Sequence, residues 1–102
     1  MIPGITTKIS ETIVALSTTI DAKTDLLRVT STTVTTVLAT INPNFGGGFS
    51  GVVFLLNDSG NPIRVVTTGN IEVGSDRTIP DNFVNVLVFS KLSGKWYAGP
   101  IS

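Results

Sequence analysis

With no histidine and no cysteine, this 102-residue chain lacks the usual general base, the thiol nucleophile and the soft metal ligands. Carboxylates are what remain for chemistry. Asp58, Asp76 and Asp81 each sit beside Gly, Ser, Pro or Asn in stretches that read as turns, where aspartate is favoured for local hydrogen bonding. The stretch NDSGN (residues 57–61) does not match D-x-[DN]-x-[DN]-G with its distal Glu, so it is not a calcium loop. Glu11 and Glu72 are lone acids, and a glycosidase pair would need one of them to meet an aspartate in space. No catalytic residue, metal site or cofactor is expected. The chain reads as a non-enzyme.

Two further stretches could carry function. NPNFGGGFSGVVFLL (residues 42–56) sets three glycines between Phe45 and Phe49. It fails as a P-loop, because Phe49-Ser50-Gly51 stands where Lys-Ser/Thr is needed. It also fails as a dinucleotide fingerprint, which demands a helix where Val52 to Leu56 reads as a strand. The stretch is expected to be a strand-to-strand hinge whose phenylalanines fold inward over the end of a barrel. The second stretch is Lys95-Trp96-Tyr97, which holds the one tryptophan and the one tyrosine. Neighbours on a strand face opposite ways, so one ring is expected in the core and the other at the surface. Trp96 and Tyr97 are thus candidates for stacking a glycan.

The elements that must position these residues read as strands. LLRVT (26–30), residues 34–41, residues 52–56, IRVVT (63–67), IEV (71–73), FVNVLVF (83–89) and KWYAG (95–99) are short apolar runs. Turn signals part them at Asn42-Pro43, NDSGNP, Gly69-Asn70, Gly74-Ser75-Asp76, Pro80-Asp81-Asn82 and LSG. Counting gives fifteen threonines, twelve of them before residue 41 and alternating with Val and Ile, which favours pleated backbone. The expectation is a small all-β domain over residues 25–102: an antiparallel jelly roll, β-sandwich or barrel. Antiparallel pairing is inferred from the tight turns.

Residues 1–24 differ. Ile5, Ile9, Ile13, Leu16 and Ile20 fall at helical spacing. The interspersed threonines are weak helix formers, which tips the segment toward strand. We expect an N-terminal arm or packing element, with apolar residues placed to lie on a neighbouring subunit.

Seven basic residues balance seven acidic ones and only 14% of positions are charged. Without a clustered positive surface, nucleic acid is not an expected partner. Mean hydropathy is high, at +0.38. Yet no run approaches the ~18 apolar residues of a membrane-spanning helix, and no basic region precedes an apolar core as in a signal peptide. High hydropathy with low charge points to surface covered by other subunits.

ATINPNFGGGFSGVVFLL, then VVTTGNIEV, then SGKWYAGPIS resembles, in order, a pattern of small β domains in tailed-bacteriophage structural proteins. The resemblance covers roughly residues 25 to 102. It implies a virion structural protein, most like a capsid decoration (cement) protein on the outer capsid surface. The short N-terminal region, without the long helical stalk of a fibre subunit, favours decoration over a tail or fibre part. Such a protein would bind the major capsid protein lattice as a homotrimer, and Ile2, Pro3, Ile5 and Ile9 are the candidate capsid contacts. The alternative is a tail or spike module that binds a host receptor or glycan through Trp96 or Tyr97.

Overall fold

The computed structural model describes residues 11–31, 37–44 and 51–101. They are all β. Eleven strands follow in order: β1 (Glu11–Ala15), β2 (Thr19–Ala22), β3 (Leu26–Thr30), β4 (Val37–Leu38), β5 (Thr40–Pro43), β6 (Val52–Asp58), β7 (Ile63–Val65), β8 (Ile71–Glu72), β9 (Arg77–Ile79), β10 (Val84–Ser90) and β11 (Lys95–Ile101). One six-stranded sheet has the order β1-β3-β6-β10-β11-β8. A three-stranded sheet, β4-β7-β9, and a two-stranded pair, β2-β5, complete the described structure.

The all-β expectation holds, and the pairing corrects its antiparallel part. Five ladders are parallel: β1 with β3, β3 with β6, β2 with β5, β4 with β7, and β8 with β11. Only β6–β10, β10–β11 and β7–β9 are antiparallel among the described residues. From β3 the chain passes to the three-stranded sheet at β4, to the pair at β5, and back to the large sheet at β6. That circuit brings Leu26 opposite Phe54 in parallel register, and parallel neighbours need such long crossovers. Asn42-Pro43, expected as a turn, is the end of β5, paired with Asp21 and Ala22; of the other turns named above, most are corners that carry the chain from one sheet to another. NDSGNP leads from β6 to β7 in a different sheet, whereas the Lys91–Gly94 turn makes the true hairpin β10–β11. The single strand expected over 34–41 is broken in the same way. The Thr18 carbonyl accepts from both Ala39 and Thr40 amides, each at 2.9 Å, at the corner between β4 and β5.

Alternation decides what is buried. Leu27 and Val29 of β3, Val53 and Leu55 of β6, Leu87 of β10, Trp96 of β11 and Ile71 of β8 point inward from the large sheet. They meet Ile20 and Ala22 of β2, Leu38, Ile41, Ile63, Val65 and Ile79 in one core cluster. Leu16, Ile20 and Ala22 belong to that cluster, so residues 11–22 of the expected arm are a packing element built into the sheets. Residues 1–10, with Ile2, Pro3, Ile5 and Ile9, lie outside the described residues, as do Phe45, Phe49 and the three glycines between them.

Two polar devices close the fold. Asn57, fully buried, donates through Nδ2 to the Asn61 and Ile79 carbonyls at 2.8 and 2.9 Å. Its Oδ1 accepts from the Ser59 amide at 3.0 Å and the Ser59 hydroxyl at 2.6 Å. All four side-chain hydrogen-bonding capacities of the amide are therefore used. Asn70 does the second job, reaching the Ile41 amide with Oδ1 at 2.9 Å and the Ile41 carbonyl with Nδ2 at 2.7 Å. It stands in for a strand neighbour along β5. Gly69 beside it is obligatory, because a Cβ there would run into the Ala39 carbonyl and Thr40 Oγ1.

Candidate interaction surface

The carboxylates that could have done chemistry are spent on surface pairs. Glu11 lies 3.0 Å from the Arg28 guanidinium, Asp58 3.9 Å from it, Asp76 2.6 Å from Arg64 and Glu72 3.3 Å from Lys95. Asp81 accepts from the Gly60 amide at 2.8 Å and from Asn82 at 3.2 Å, which is turn chemistry. Among the described residues no three acids converge where a cation could sit. Glu11 meets no aspartate in a cleft; it shares Arg28 with Asp58 on an open sheet.

The two aromatic candidates part as strand alternation requires. Trp96 is fully buried, its Nε1 donating to the Ile41 carbonyl at 2.8 Å and its ring 5.1 Å from that of Phe89. It cannot offer a face to a sugar, so that candidate is corrected to a core residue. Tyr97 points outward, 43% exposed, with its hydroxyl 3.2 Å from Ser93 Oγ.

The described surface whose composition calls for explanation is the outer face of the large sheet. Register sets it out in rows. Ile13, Arg28, Leu56 and Val84 form one row across β1, β3, β6 and β10. Glu11, Leu26, Phe54 and Val86 form the next. Val52, Val88, Tyr97 and Glu72 form the third, across β6, β10, β11 and β8. Ile13 is 67% exposed, Val88 46% and Phe54 36%. No residue of the core cluster belongs to this face. Half-polar alternation is the norm for a sheet with one wet side, yet the central positions here are Leu, Val, Phe and Tyr.

Charge on this face gathers in two clusters, Arg28 of β3 with Glu11 of β1 and Asp58 of β6, and Lys95 of β11 with Glu72 of β8. Sequence reasoning missed this face. Its signal was the run VVFLL together with FVNVLVF, in which both parities are apolar.

No family model, no curated protein and no solved structure matches this chain.

Proposed function

We propose that this protein is a non-catalytic structural subunit of a virion: a capsid decoration protein that binds the assembled lattice as a homotrimer and stabilises it. The observation that carries the reading is the apolar outer face of the large sheet, with Phe54, Val88 and Tyr97 at its middle and ion pairs in two clusters. A face of that chemistry supports a protein that works inside an assembly. The resemblance of residues 25–102 to tailed-bacteriophage structural domains names the assembly, and closed cyclic symmetry suits a trimer to the three-fold positions of a shell. Binding the assembled shell and not free subunits shifts the equilibrium toward the intact particle. The major capsid protein is the partner in this reading, and the outer capsid surface is the location.

Quantitative mass spectrometry of virions that carry the chain tests this. Copies on the order of hundreds, near-stoichiometric with the major capsid protein, are expected for repeated lattice sites. A handful of copies, in a small multiple of three or six, would move the protein to a tail or spike. One observation favours that second reading: Tyr97 presents an exposed ring that could stack on a host glycan.

A further inference from the structure

We infer that Asn85 holds an internal water molecule between the six-stranded and three-stranded sheets, bound by its side-chain oxygen and by the Arg77 guanidinium. The site lies on the inward side of β10, away from the outer face described above, and it does not rest on the assembly reading.

The strand pairing prepares the site. Asn85 stands opposite Ile101 and Leu87 opposite Ala98, so Gly99 and Pro100 of β11 together face Val86 alone. That is a β-bulge, which leaves an extra residue unpaired and disturbs the ladder. Pro100 has no N–H to give to β10. Asn85 supplies a donor there instead. Its Nδ2 reaches the Gly99 carbonyl at 3.1 Å and lies 3.4 Å from the Val86 carbonyl. Those two carbonyls assign the carboxamide's orientation, because exchanging its nitrogen and oxygen would set an acceptor against two acceptors.

The oxygen is then left over. Asn85 is fully buried, and its Oδ1 has no hydrogen-bond partner among the described residues. Asn57, also fully buried, uses every capacity of its side chain, so the unpartnered acceptor stands apart in this core. A buried acceptor without a donor is costly, and an ordered water is the common remedy.

Arg77 supplies the other side. One of its five N–H donors goes to the Gly99 carbonyl at 2.7 Å, the same oxygen that Asn85 uses. Since the 2.7 and 3.1 Å bonds meet at that oxygen, Arg77 Nη1 and Asn85 Nδ2 lie within about 6 Å of each other. Among the described residues the guanidinium makes no other hydrogen bond and enters no ion pair. What fits the site must accept from Arg77 and donate to Asn85 Oδ1. A carboxylate or phosphate anion does only the first, and a metal cation is repelled by the guanidinium. Water does both. Its two partners here meet the minimum of the two to four that buried waters use. Arg77 belongs to β9 and Asn85 to β10, so the water joins the two sheets.

Water–protein NOE spectroscopy of the full chain, with oxygen-17 relaxation dispersion to count long-lived waters, tests the inference. In the wild type the Asn85 Nδ2 protons are expected to show an NOE to a long-lived water. Asn85→Leu, close in volume, is expected to lower the count by one water. Arg64→Ala, on the neighbouring strand β7, is expected to leave it unchanged. Should Asn85→Leu fail to fold, the NOE at Nδ2 decides, since it needs no substitution. Absence of that NOE, or an unchanged count in folded Asn85→Leu, would overturn the inference. So would a crystal structure in which a protein donor occupies Asn85 Oδ1.

Discussion

Trp96 and Ile41, 55 positions apart, meet at one backbone carbonyl: the indole Nε1 of Trp96 donates to the Ile41 oxygen at 2.8 Å. The same oxygen accepts from Asn70 Nδ2 at 2.7 Å, and the Trp96 amide donates to the Asn70 carbonyl at 2.8 Å. Three residues from three strand regions thus lock the β2–β5 pair to the hairpin side of the large sheet. Replacing Trp96 by Phe leaves the Ile41 carbonyl its Asn70 donor, so no acceptor is orphaned. The loss is the indole's packing plus one hydrogen bond, about 1–3 kcal/mol. Trp96→Ala adds a large cavity and is expected to cost about 3–5 kcal/mol. Urea midpoints followed by circular dichroism check both, against Tyr97→Ala, whose outward ring leaves the core untouched.

Gly69 and Gly60 separate two ways in which glycine is required. At Gly69 an added methyl would meet the Ala39 backbone and Thr40 Oγ1, at the point where the chain passes close behind β5. Gly69→Ala must therefore push two backbones apart, and a loss of about 2–4 kcal/mol is expected, in the range of overpacked cores. Gly60 has open space around it but sits at φ 81°. Gly60→Ala meets only backbone strain, about 1–2 kcal/mol. Equal thermal midpoints for the two variants would contradict this account.

Strand content was legible because β-branched alternation and turn residues are local signals. The split of Trp96 from Tyr97 was legible for the same reason, since strand parity is fixed by the backbone. Which strands would pair was not. A turn such as NDSGNP specifies a change of direction, and a corner into another sheet satisfies it as well as a hairpin does. Parallel pairing of Leu26 with Phe54 depends on the intervening β4 and β5 wrapping the core, and no short window of sequence carries that. Gly69-Asn70 was read as a turn. Its larger role, admitting Ala39 closely and clamping Ile41, is a long-range contact with no local mark.

Asn57 is buried with every side-chain capacity used, which makes it the polar residue whose loss should matter most. Asn57→Leu keeps the volume but leaves the Asn61 and Ile79 carbonyls and the Ser59 amide and hydroxyl without their partner. The Asn61 carbonyl and the Ser59 hydroxyl still have each other. Stranding the remaining groups is expected to cost about 2–4 kcal/mol. Arg64→Ala, by contrast, removes an exposed pair with Asp76, and surface pairs contribute about 0–1 kcal/mol. Denaturant midpoints should rank Asn57→Leu far below wild type and Arg64→Ala beside it. A reversed order would mean that the turn after β6 is not a structural hub.

Residues 1–10 precede the first described strand, β1 at Glu11. A chain starting at Glu11 is expected to fold, keep Trp96 emission at its native wavelength and melt close to the full chain. If Ile2, Pro3, Ile5 and Ile9 contact the capsid, the same truncation abolishes co-sedimentation with capsids stripped of the protein. Retained capsid binding would remove the N-terminal contacts from the proposal and direct the search to the exposed loops. Loss of binding together with loss of the trimer would instead tie residues 1–10 to the interface between copies.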